Sequence, residues 1–125
     1  MSVKYDKILD EVRESDVSDV SDVSVNSYPV TSVSGDGLLK NIPAGNLLNG
    51  IVFLSQNAND VVIDLGLTAG ADDIYSALSI TGNQSTFLRL DYNSGKALPA
   101  FDVYISSALW NGANLNCYLV TTKIL

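Results

Sequence analysis

The sequence contains no histidine. That absence removes the commonest general base, the usual zinc ligand sets and every Ser-His or Cys-His pair. There is one cysteine, Cys117, so no disulfide can form within the chain. It sits in an apolar run, where a thiol serves as a small hydrophobe. Positive charge is scarce as well: 7 Lys and Arg stand against 14 Asp and Glu, a net charge of −7. Such a balance argues against nucleic acid as a partner, because phosphates are held by basic residues, and against an anionic membrane surface. No run approaches the ~18 apolar residues of a membrane span. The start, MSVKYDKILDEVRESD, carries charge throughout and lacks the apolar stretch of a signal peptide. The expectation is a chain made in a reducing cytoplasm, with no nucleic-acid and no membrane partner.

What is present fits one domain. A chain of 125 residues with 46 % hydrophobic content can bury a core without covalent staples. The chain divides into three regions. Residues 1–14 are expected to hold a short helix over 3–14, with Tyr5, Ile8, Leu9 and Val12 at spacings of three and four on one face. A helix this short is marginal alone, since about 12–15 residues are needed in water, so its apolar stripe requires a partner: either its own domain or another chain. Residues 15–27 are a Ser-Asp-Val repeat. Its period of three suits neither helix nor strand, and it reads as a linker, solvated or held extended by Val17, Val20 and Val23. Residues 1–27 carry a net charge of −4 and the remainder −3, which marks the arm as a separate unit.

From Tyr28 onward the pattern is β. Candidate strands lie at 28–33, 38–42, 50–55, 61–66, 74–80, 86–92, 101–107 and 114–124, separated by turn signals such as Gly35-Asp36-Gly37, Gly82-Asn83 and Asn111-Gly112. Phe101, Val103 and Ile105 alternate with Asp102, Tyr104 and Ser106, and Leu115, Cys117 and Leu119 with Asn116, Tyr118 and Val120, as in sheets with one buried face. Many short strands without a helix between them predict an all-β domain over 28–125, an antiparallel β-sandwich or jelly roll. The runs 51–54 and 61–63 are continuously apolar. They are strands covered on both faces, or strands with one face against another copy of the chain.

Chemistry is hard to find in this sequence. No serine lies in a G-x-S-x-G setting, and Asp64, Asp72, Asp73, Asp91 and Asp102 read as turn and edge residues rather than a glycosidase pair. No catalytic residue, cofactor or metal ligand is assigned, and the expectation is that the protein is not an enzyme. Asp72-Asp73, in a loop, is either an Asx turn or a weak calcium site. For a small ligand the best candidates are Trp110, Tyr104 and Tyr118, with Tyr92, Asn111, Asn114 and Asn116 as further residues of types that stack on and hydrogen-bond to glycans. The competing reading packs Trp110 over a sandwich edge. Asn83-Gln84-Ser85 matches a glycosylation sequon, which the absence of a secretory signal makes accidental.

Three segments carry a resemblance. They are Ile42-Pro43-Ala44-Gly45-Asn46-Leu47-Leu48-Asn49-Gly50-Ile51-Val52, then Val61-Val62-Ile63-Asp64-Leu65-Gly66-Leu67-Thr68-Ala69-Gly70-Ala71-Asp72-Asp73-Ile74, and Ala108-Leu109-Trp110-Asn111-Gly112-Ala113-Asn114-Leu115-Asn116-Cys117-Tyr118. In this order they resemble small β-sandwich virion proteins of tailed bacteriophages: head fibres, capsid decoration (auxiliary capsid) proteins and tail fibres. Residues 4–14 resemble the anchoring peptides of some phage structural proteins, those of crAss-like phages among them. The resemblance implies a jelly-roll-like fold, a homotrimer and a place in the virion after assembly in the bacterial host cytoplasm. It brings no catalytic residues. The arm would dock on a capsid or other virion protein through Tyr5, Ile8, Leu9 and Val12. A carbohydrate- or receptor-binding module of a tail fibre, contacting a host surface glycan, is the alternative.

Overall fold

A computed structural model describes residues 24–93 and 97–124. The expected N-terminal helix and the repeat up to residue 23 lie outside them. The described chain forms eight strands: β1 (Ser24–Val33), β2 (Gly37–Ile42), β3 (Asn46–Ser55), β4 (Val61–Gly66), β5 (Tyr75–Ile80), β6 (Ser85–Tyr92), β7 (Phe101–Ser106) and β8 (Leu115–Lys123). β1 starts at Ser24 and pairs from there with β8. The boundary expected between 27 and 28 therefore falls inside a strand. Residues 24–27 find ladder partners, which their Ser-rich composition did not signal.

The strands make two four-stranded sheets, ordered β1-β8-β3-β6 and β2-β7-β4-β5, with every pairing antiparallel. Each strand of the first half bonds to the strand that mirrors it about the β4–β5 turn: β1 to β8, β2 to β7, β3 to β6 and β4 to β5. Two further ladders, β3 to β8 and β4 to β7, complete the sheets. Their inner faces meet in one apolar core that includes Leu48, Ile51 and Phe53 from β3, Leu115, Cys117 and Leu119 from β8, Ile63 and Leu65 from β4, and Val103 and Ile105 from β7. The period-two alternation in β7 and β8 thus sorts side chains as the sequence implied, except that Ser106 is buried.

The apolar run 51–54 needs a bulge to be understood. Leu48 sits opposite Thr121 and Gly50 opposite Val120, so Asn49 is an extra residue on β3. The alternation restarts after it: Ile51 and Phe53 turn inward and are fully buried, while Val52 and Leu54 turn outward and are half-buried. Gly50 is required at this point, because a Cβ there would lie 2.4 Å from the Leu88 carbonyl oxygen and 2.9 Å from the Phe87 ring. In β4, Val61 and Ile63 are buried and Val62 is 50 % exposed. Within the described chain, therefore, neither run is covered on both faces.

Two edge strands, β1 and β5, are blunted. Pro29 removes a donor from edge strand β1. Ala77 on edge strand β5 has a φ of 59° and gives its N–H to the Asp64 carboxylate at 2.8 Å. Between β1 and β2, Lys40 lies over the Tyr28 ring with its nitrogen 4.4 Å from the centroid.

Two buried groups yield tests. The Thr121 hydroxyl is fully buried with no hydrogen-bond partner. Thr121→Val keeps the shape and removes that cost, so it should raise unfolding free energy by about 1 kcal/mol, read from the urea midpoint. Burial pushes the Cys117 thiol up to about 12 from its ordinary value of 9.0. An acid whose folded value is raised stabilises the fold below its unfolded value and loses that contribution as pH rises through the folded one. Stability should therefore fall more steeply between pH 9 and 12 in the wild type than in Cys117→Ala, by at most about 1.4 kcal/mol per pH unit.

Candidate functional site

Loops of both sheets gather at the two ends of the sandwich. At one end the β1–β2, β3–β4, β5–β6 and β7–β8 loops are bonded to one another. The Asn57 amide donates to the Gly112 carbonyl at 2.9 Å, Gln56 N–H to the Asn114 carbonyl at 2.8 Å, Asn83 N–H to the Asn57 carbonyl at 2.7 Å, and Gly82 N–H to the Asp60 carboxylate at 2.7 Å. In the β7–β8 loop, Asn111 and Gly112 both have positive φ, 56° and 72°, and Ala113 N–H bonds back to the Trp110 carbonyl at 2.8 Å. This is the left-handed two-residue turn for which Asn-Gly is best suited. It carries Trp110 onto the core, where the ring is partly buried. Its indole N–H donates to Asp36 at 2.7 Å, and the same carboxylate oxygen accepts Ser107 N–H at 3.0 Å. Asp36 thus ties the β1–β2 loop to the β7–β8 loop.

A cleft of about 500 Å³ opens beside this end on the outer face of the second sheet. Its apolar wall is Val62, Ala77 and Leu109, and Asp60, Asp64 and Asn111 supply polar groups. One oxygen of each carboxylate is already engaged by a backbone N–H, Gly82 for Asp60 and Ala77 for Asp64. The cleft is thus a shaped, weakly polar surface held by structural aspartates.

The proposed glycan residues do not come together. Tyr104 projects from the outer face of the second sheet, opposite Leu38 and Gly66. Tyr118 projects from the outer face of the first sheet, opposite Pro29 and Val52. Trp110 is at the loop end and engaged by Asp36. Tyr92 packs edge-on against Phe101, ring centroids 5.5 Å apart, and its phenol is raised above the ordinary range by burial and then by the Asp73 charge. The three aromatics therefore form no common platform, because two lie on opposite outer faces and the third on an end. The Asn116 side chain accepts Ser32 N–H at 3.0 Å.

The aspartates named from sequence serve the framework. Asp73 accepts Leu67 N–H at 2.8 Å across the β4–β5 loop, an Asx-type closure, and Asp102 accepts from the Asn41 amide at 2.8 Å. Asp91 pairs with Arg89 at 3.5 Å on the surface, and Asp72 is exposed. Among the described residues no three His, Cys, Asp or Glu side chains gather as a metal site. The residue that sequence reasoning missed is Asp36. It was legible only as the centre of a Gly-Asp-Gly turn, and its two partners lie more than 70 positions away.

No protein-family model matches the sequence, and no curated protein matches it. Among solved structures, the chain is similar to a chain in the acidic stable capsid structure of Helicobacter pylori bacteriophage KHP30, with a TM-score of 0.50 and 12 % identity, over 82 % of this chain and 87 % of that one. It is also similar to a chain of the cyanophage Pam1 capsid asymmetric unit, with a TM-score of 0.41 and 17 % identity over 82 % and 84 %. A third is PirA, with a TM-score of 0.37 and 11 % identity over 77 % and 90 %. The likeness to the KHP30 chain is one of fold: two antiparallel sheets arranged as in a bacteriophage capsid chain.

The Asp36 contact is directly testable, because Trp110 is the sole tryptophan. Asp36→Ala should red-shift Trp110 emission and lower stability by about 1 kcal/mol. Asp36→Asn, which keeps one acceptor oxygen, should recover part of both.

Proposed function

We propose that the chain is a structural subunit of a bacteriophage virion, of the head-fibre or capsid-decoration kind, with no catalytic role. The observation that carries this reading is the fold shared with a phage capsid chain over 82 % of this chain. The mirrored strand pairing supports it. Pairing β1 with β8, β2 with β7, β3 with β6 and β4 with β5 is what results when one long antiparallel hairpin is rolled into two sheets, and we read the domain as a jelly roll.

The polarity of the domain agrees with a subunit held at one end. Ser24 pairs with Lys123, which pairs with Asn46, so β1 begins at the end where the β2–β3, β4–β5 and β6–β7 loops lie. The cross-bonded loops with Trp110 are at the opposite end. An N-terminal arm docking on a capsid or other virion protein through Tyr5, Ile8, Leu9 and Val12 would leave that opposite end outward. In this reading the β domains trimerise, and assembly takes place in the bacterial host cytoplasm. The separation of Tyr104, Tyr118 and Trp110 leaves the glycan-binding alternative without a shared surface.

A single pair of preparations tests the proposal. Particles assembled with Leu9→Asp should lack the chain, while the purified variant keeps the wild-type solution mass of about 40 kDa, expected for three chains of 13.3 kDa. Normal occupancy would remove the docking role of the arm, and a 13.3 kDa wild type would remove the trimer.

A further inference from the structure

The outer face of the first sheet is the least charged broad surface of the domain. Partners across antiparallel strands project to the same side, so the register fixes its make-up. Pro29 lies opposite Tyr118, Tyr118 opposite Val52, and Val52 opposite Phe87, one row crossing all four strands. The adjacent row is Ser27, Val120, Gly50 and Arg89. Phe87 is 60 % exposed and Val25, on the same side of β1, 67 %. Among the described residues the charged groups on this side are Arg89 and Asp91, 3.5 Å apart, which border a shallow cleft of about 360 Å³ with Asn49 and Phe87.

The other outer face differs in kind. Leu38 and Val62 are exposed there and Leu109 in the adjoining β7–β8 loop, but Asp64 and Asp102 lie on its strands, and Asp36, Asp60, Asp72 and Asp73 occupy the neighbouring loops. A second copy placed on that face would set carboxylate against carboxylate in a chain of net charge −7. A basic partner would be drawn to that face as well, leaving the first sheet uncovered.

We propose that the outer face of β1-β8-β3-β6 is the surface through which the β domains associate, its occupant being the same sheet in the other copies of the trimer. This rests on the trimeric reading above. Charge selects the occupant: an arginine beside an aspartate is self-complementary, so Arg89 of each copy can face Asp91 of the next around a closed ring. The row Pro29, Tyr118, Val52 and Phe87 supplies the apolar centre that such a contact requires. The outward apolar residues of run 51–54 are thereby covered by another copy.

The test is the solution mass of the full chain by light scattering over a hundredfold concentration range, with Trp110 emission as the check of fold. Trp110 sits at the loop end and reports folding independently of this face. Phe87→Glu should weaken association at least a hundredfold with emission unchanged, while Leu109→Glu, in the β7–β8 loop beside the outer face of the other sheet, should leave the trimer intact. If Phe87→Glu disturbs Trp110 emission, Pro29→Glu, at an exposed edge position of the same row, takes its place and is read on the same criteria. A trimer that survives the first-sheet substitution, or one broken by Leu109→Glu instead, overturns this surface and leaves the trimer standing. A wild type monomeric at every concentration overturns the trimeric reading, and this surface with it.

Discussion

β8 lies between β1 and β3, hydrogen-bonded to both along nearly its whole length. Among the described strands the first sheet depends on that insertion, since β1 pairs there with β8 alone and β3 would otherwise keep only β6. The inner side chains of β8, Leu115, Cys117, Leu119 and Thr121, are all fully buried. Its outer ones, Tyr118 and Val120, occupy the middle of the exposed face. Contacts of such long sequence separation are costly in chain entropy, and every inner residue must bury apolar area to offset it.

Loop fixation follows from the same constraint. Sheets joined only by crossovers need their ends held in register, and this chain does so with carboxylates and amides rather than with covalent links. Asp36, Asp60, Asp64 and Asp73 each accept a backbone N–H from a different element or from the far side of a loop. These acids sit on the second sheet and its loops, so the framework role and the charge asymmetry of the domain have one origin. The first sheet, whose ladder ends are closed by backbone contacts such as Ile124 N–H to the Gly45 carbonyl, needs few charges and carries few.

Much of this fold was legible in the sequence because period-two alternation and turn residues are local signals. Phe101, Val103 and Ile105 announced β7, and Asn111-Gly112 announced its turn. The misreadings came from features with no local signature. Residues 24–27 became strand because β8 offered them partners. The run 51–54 left two readings open because Val52 and Leu54 are apolar although they face outward, and which of its residues turn inward follows the Asn49 bulge, visible only through the register with β8. The candidate site was less legible still. Trp110 was identified as a residue, but its partner Asp36 came from the opposite end of the β region. Tyr104 and Tyr118 share a residue type and an outward alternation, yet they belong to different sheets, and sequence does not record sheet membership.

The central place of β8 also has a bearing on timing in the cell. While the chain is being synthesised, residues up to β7 can complete the second sheet, because β2, β7, β4 and β5 are then all available. The first sheet must wait for β8. Until then its outer face does not exist as a surface: Tyr118 and Val120 are missing from its middle, and β1 is not held beside β3. A nascent chain therefore cannot present this face before β8 has been made and inserted, and any association through it follows that step.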